Sequence, residues 1–147
     1  MVMLFESPPV SGMYFYDPEG RMTEHLYSAI MKLFGWKATS KMEGLQWFCD
    51  AGILLLDATY QQVNGMTIRR RRDIMRADYP SLAARLPDAP VIIGMSAVYD
   101  AVNDLLVGDG INVINGSIKV PFPANGRQRQ FHEKAGAVLS DFGFPTK

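Results

Sequence analysis

The chain has 147 residues, 48% of them hydrophobic, with 15 Lys+Arg balanced by 15 Asp+Glu and a formal net charge of zero. That length predicts one domain over residues 1–147 with a core of its own, and the charge balance excludes a global basic field of the kind nucleic-acid binders use. A lone cysteine, Cys49, excludes an internal disulfide and a four-cysteine cluster, and His25 and His132 stand far apart without partners at metal-ligand spacing, so no metal or cofactor is expected.

The first element is the apolar run Val2–Phe5, which stops at Glu6 and Ser7, then Pro8-Pro9, Gly12 and the aromatic triplet Tyr14-Phe15-Tyr16. A buried strand ending in prolines and aromatic plates can wall a pocket at its carboxyl end, or can simply plug the core. A helix is predicted from about Met22 to Phe34, with Met22, Leu26, Ile30 and Leu33 inward and Gly35 as its stop. Ser40 and Glu43 stand at capping-box spacing for a second helix carrying Leu45, Phe48 and Cys49 inward. Ile53–Leu56 reads as the second strand, followed by the polar loop Asp57–Gly65. Thr67 to Met75 has helical character, and Pro80 and Pro87 bracket a short helix. Val91–Ile93 is the third strand, and Ser96 is the expected cap of a helix burying Val98, Ala101, Val102 and Leu105. Ile111–Ile114 is the fourth strand. The last helix is expected from Asn125, with Phe131, Ala135, Val138, Leu139 and Phe142 as its stripe and Gly143 closing it. Continuous apolar runs alternating with amphipathic helices predict an α/β fold, a three-layer α/β/α sandwich with a four-stranded parallel sheet. Right-handed crossovers bring the loops Glu6–Tyr16, Asp57–Asn64 and Val120–Gly126 to one sheet edge, where such folds bind ligands. No signal peptide and no apolar run of bilayer length is visible, which predicts a soluble cytoplasmic protein.

These three loops, in this order, resemble those of the uracil-DNA glycosylase superfamily. The family's first motif reads Gly-Gln-Asp-Pro-Tyr, and the matching positions here are Phe5-Glu6-Ser7-Pro8-Pro9. A family phenylalanine that stacks on the flipped base follows within a dozen or so residues, and Phe15, flanked by Tyr14 and Tyr16, matches it. The family's second strand, Gly-Val-Leu-Leu-Leu-Asn, is similar to Gly52-Ile53-Leu54-Leu55-Leu56-Asp57, and its third strand to Val91-Ile92-Ile93-Gly94-Met95-Ser96. The last motif, His-Pro-Ser-Pro, corresponds to Val120-Pro121-Phe122-Pro123, followed by Ala124-Asn125-Gly126. The departures bear on chemistry. Ser7 stands where the archetype has its water-orienting aspartate and Val120 where it has its histidine. Asp57 replaces the base-reading asparagine, although the mismatch-specific branch also carries an aspartate there.

Breaking an N-glycosidic bond develops positive charge on the sugar and negative charge on the base, so a carboxylate and hydrogen-bond donors are needed nearby. Glu6, the acid of the first motif, is the candidate for positioning water or stabilising the cation, unless it is merely paired at a helix end. Ser7 could hold water or contact a phosphate, or stabilise the turn. Phe15 or Tyr16 would supply the stacking face, or pack the core. Asp57 could accept hydrogen bonds from a base edge; ionised it cannot donate, and so fits O4 of uracil poorly. It could instead cap a helix. Arg69 and Arg70, in a run with Arg71 and Arg72, are a phosphate-contact region or a solvated helix face. The resemblance adds DNA contacts at Pro121, Pro123, Asn125, Gly126 and Arg127. It implies a monomeric DNA glycosylase that hydrolyses the bond of a flipped damaged or deaminated base without metal or cofactor. The competing expectation is a catalytically degenerate module that binds a nucleobase or nucleic acid on the same fold, and a different hydrolase on a similar sheet is the third.

Overall fold

Residues 1–146 are described by a computed structural model, and among them three strands and six helices form a mixed α/β fold. The strands are β1 (Val2–Phe5), β2 (Leu54–Asp57) and β3 (Val91–Ile93). The helices are α1 (His25–Leu33), α2 (Lys41–Asp50), α3 (Ile68–Ala77), α4 (Tyr79–Arg85), α5 (Ser96–Gly108) and α6 (Gln128–Asp141). The sheet has the order β2-β1-β3, and both pairings are parallel. Alternation along the central strand sends its side chains to opposite faces. Met3 and Phe5 join Leu55 and Ile92 in a core with Tyr27, Ile30, Phe48, Phe131 and Leu139. Val2 and Leu4 join Val91 and Ile93 in a second core with Met75, Leu82, Val98, Val102 and Leu106. Helices α1, α2 and α6 thus cover one face and α3–α5 the other.

The expected fourth strand is not formed, and the sheet has three strands. Of Ile111–Ile114, only Val113 bridges to Val91, through Val91 N–H to the Asn112 carbonyl and Ile114 N–H to the Val91 carbonyl, both 2.9 Å. The next rung is made by a side chain. Asn115, 2% exposed, accepts from Ile93 N–H at 2.7 Å and donates to the Ile93 carbonyl at 3.0 Å and the Ile118 carbonyl at 3.1 Å. An amide that satisfies both groups of Ile93 lets the chain turn away at Gly116 without orphaning the edge of β3.

Several helix boundaries shift for local reasons. α1 starts at His25, leaving Met22 exposed, and Cys49 is exposed on α2. Ser40 caps α2 by accepting from Glu43 N–H at 3.2 Å, but Glu43 reaches back to Thr39 N–H and hydroxyl rather than to Ser40. Ser96 caps nothing; its hydroxyl donates to the Val120 carbonyl at 3.1 Å. Asn125 and Gly126 do not open α6. They form a turn with φ of 53° and 80°, closed by Arg127 N–H on the Ala124 carbonyl, and the helix begins at Gln128. Among the described residues, no helix is long and apolar enough to cross a membrane.

Candidate functional site

The parallel register carries β1 and β2 off the sheet in step. Phe5 pairs with Asp57, and the ladder continues through Ala58 N–H to the Phe5 carbonyl (2.8 Å) and Thr59 N–H to the Glu6 carbonyl (3.0 Å). Two acids from neighbouring strands therefore leave the same end of the sheet together. Beside them opens a cavity of about 770 Å³, walled by the loop after β1, the loop after β2, the start of α1 and the flank of β2. Its size suits a small organic ligand.

The aromatic wall is held by two devices. Tyr16 turns its hydroxyl inward to accept from Leu55 N–H at 2.7 Å, and burial raises its pKa above the usual phenol value. Lys41, 2% exposed at the start of α2, donates to the Tyr14 carbonyl at 2.9 Å and to Glu24 at 2.9 and 3.1 Å. Gly20 lies against this latch, where a Cβ would come within 2.5 Å of Lys41 Nζ. The charge–charge pairing and the backbone acceptor together satisfy a lysine that would otherwise be costly to bury.

Glu6 is 4% exposed and gripped by Arg71 of α3. The guanidinium donates from Nε to Oε2 at 2.9 Å and from Nη2 to Oε1 and Oε2 at 2.8 and 2.6 Å. This fork fixes the plane of the carboxylate and leaves part of its acceptor capacity free. Asp57 is treated differently. Arg85 hydrogen-bonds its backbone carbonyl at 3.1 Å, and no described group donates to its carboxyl. Burial pushes the Asp57 carboxyl up to about 6, against the pull of Arg85 and with the help of the Glu6 charge. Ser7 Oγ, also on the cavity wall, is buried with no hydrogen-bond partner among the described residues.

Of the residues expected at the site, Glu6, Ser7, Phe15, Tyr16 and Asp57 all line this cavity. Phe15 does so with most of its ring in the core, 8% exposed, against Tyr16 and Phe48 at 5.1 Å and Tyr27 at 6.1 Å. The third loop does not converge as expected. Pro121 and Pro123 are buried and, with Asn125, Gly126 and Arg127, lie outside the cavity wall; only Phe122 reaches it, edge-on to Phe5 at 6.2 Å. Arg69 and Arg70 are exposed on the first turn of α3 and line no part of the cavity. Lys41 and Glu24 were not singled out by the sequence, and Arg71 only as a member of the arginine run. Arg71 sits in a run of identical residues where spacing alone cannot tell which one turns inward. The lysine and its partner are 17 positions apart, with no motif to join them. Among the described residues, no group of three or more His, Cys, Asp or Glu side chains is placed to hold a metal ion. No protein-family model, curated protein or solved structure matches the chain.

Proposed function

We propose that the cavity receives a nucleobase extruded from DNA and that the protein hydrolyses the N-glycosidic bond holding it, as a divergent, cytoplasmic relative of the uracil-DNA glycosylases. The observation that carries this reading is the pair of differently prepared acids, Glu6 and Asp57, side by side on the wall of an aromatic cavity. Supporting it, two of the resembling segments, Phe5–Pro9 and Gly52–Asp57, flank that cavity, and the β2-β1-β3 order suits such an α/β sheet with its fourth strand reduced to one bridge.

In this mechanism Glu6, planar and fixed by Arg71, orients a water toward C1′ of the sugar. As the bond from C1′ to the base nitrogen breaks, its electron pair leaves with the base, and the water oxygen bonds to C1′. The water proton passes by way of the Glu6 carboxylate toward the departing base. Arg71 offsets most of the attraction Glu6 would exert on a cationic sugar, so positioning of water is its main contribution. Ser7, whose hydroxyl has no partner among the described residues, donates to the base or its leaving nitrogen. Asp57 reads the base edge. Protonated, its carboxyl both donates and accepts, as an asparagine would, and fits the O4 and N3–H of uracil; ionised, it only accepts. Because it titrates near 6, the base preference becomes pH-dependent.

Excision by the wild type is tested by abasic-site formation on oligonucleotides carrying uracil, hypoxanthine or xanthine. Uracil excision is expected to fall as the pH rises through about 6. Asp57→Asn should flatten that dependence and raise uracil excision above neutrality, whereas Glu6→Gln should cost about 100-fold at every pH. Unchanged selectivity in Asp57→Asn would sink the base-reading role. The second reading, a binding module without catalysis, is favoured by one observation: Arg71 already occupies both oxygens of Glu6. Salt-sensitive binding without excision of any base would select it.

A further inference from the structure

We propose that the mouth of the cavity is a stacking platform for single-stranded DNA, with the bases flanking the extruded one lying on Tyr14, Tyr16 and Tyr60. This deepens the excision reading and takes from it the choice of DNA. All three rings line the cavity and yet are solvent-exposed, at 47%, 47% and 63%. Two of the rings are nevertheless held in place, and the third is held at its backbone. The Arg85 guanidinium lies 4.2 Å from the centre of the Tyr60 ring, and is itself tied to the Asp57 carbonyl at 3.1 Å and the Ser81 carbonyl at 3.2 Å. One face of Tyr60 is thus backed by a fixed cation. Tyr16 is fixed by its hydroxyl on Leu55 and by the edge of Phe15 at 5.1 Å. Tyr14 has its carbonyl bound by Lys41.

Aromatic rings that are ordered but unburied gain by covering their faces with flat partners. Bases in a duplex have both faces occupied by their neighbours, whereas a single strand offers them. The charge pattern points the same way. A duplex-binding surface must meet two phosphate tracks, and this chain has no net positive charge. What it offers is three cations outside any ion pair among the described residues: Arg21 on the cavity wall, and Arg69 and Arg70, exposed in the two positions before Arg71. So small a set suits one backbone better than two.

The experiment is a binding titration with labelled oligothymidylate containing no damaged base, against the matching duplex and the ribose analogue oligoribothymidylate. Oligothymidylate is expected to bind at least about tenfold more tightly than the duplex, and Tyr60→Ala to weaken it about tenfold, with Tyr60→Phe near wild type. The salt slope should be unchanged in Tyr60→Ala and shallower in Arg69→Gln/Arg70→Gln. Equal or tighter duplex binding, a Tyr60→Ala variant with wild-type affinity, or a preference for oligoribothymidylate overturns the proposal. Single-strand binding with no excision of any base leaves the platform standing and overturns the excision reading; excision with a duplex preference does the reverse.

Discussion

The burial that lifts the Asp57 carboxyl to about 6 acts on folding as well as on the base reading proposed for it. An acid whose pKa is raised in the folded state is penalised when ionised. The penalty is full above about 6 and fades as the pH falls from there toward the ordinary value of 3.8. Asp57→Asn is therefore expected to stabilise the protein at neutral pH, by up to about 3 kcal/mol, and the gain should shrink below pH 6 in urea titrations across the range. The ionised Asp57 carboxyl is thus a place where stability is left unoptimised. Its position was legible from the sequence, because a polar residue ending a run of leucines marks the carboxyl end of a strand. Its titration was not, since desolvation depends on what the loops lay over it. Glu6 was legible for the same reason, but its grip by Arg71 joins residues 65 positions apart, beyond any local pattern.

At the level of elements, strands β1 to β3 were readable from continuous β-branched and leucine runs, and the fourth was over-read for the same reason. Ile111–Ile114 has the composition of a strand, but Asn115 supplies the next rung from its side chain and the backbone leaves the sheet. Asn115→Ala would strand a buried N–H and a buried carbonyl on Ile93, and is expected to destabilise by about 3 kcal/mol, measured by chemical denaturation. Asn115→Asp keeps the acceptor and loses the donor, so it should also be destabilising. The over-reading of the last helix has a similar origin. Asn125-Gly126 looks like a helix opening at capping-box spacing, yet the positive φ of both residues commits them to a tight turn first. The third loop itself reaches the cavity through Phe122 alone.

For the whole molecule, the latch at Lys41 joins the aromatic loop, the approach to α1 and the start of α2 at one buried ammonium group. Lys41→Met alone would leave Glu24 charged and enclosed, and is expected to cost about 3–5 kcal/mol and to open the loop to limited proteolysis. Replacing both partners, Lys41→Met with Glu24→Met, should recover much of that loss, which a double-mutant cycle in denaturant would measure. The overall α/β character follows from the periodicity of the chain, whereas this tie depends on three segments meeting and has no counterpart in any one of them. Tyr16 carries a last consequence of the same assembly. β2 lies at the rim of the sheet, with Leu54 40% exposed, and bare strand rims recruit strands from other chains. The Tyr16 hydroxyl occupies the Leu55 N–H on that rim. The side chain that walls the cavity thereby also fills one donor that an incoming strand would need, so the cavity wall and the cover of the sheet's rim share one residue.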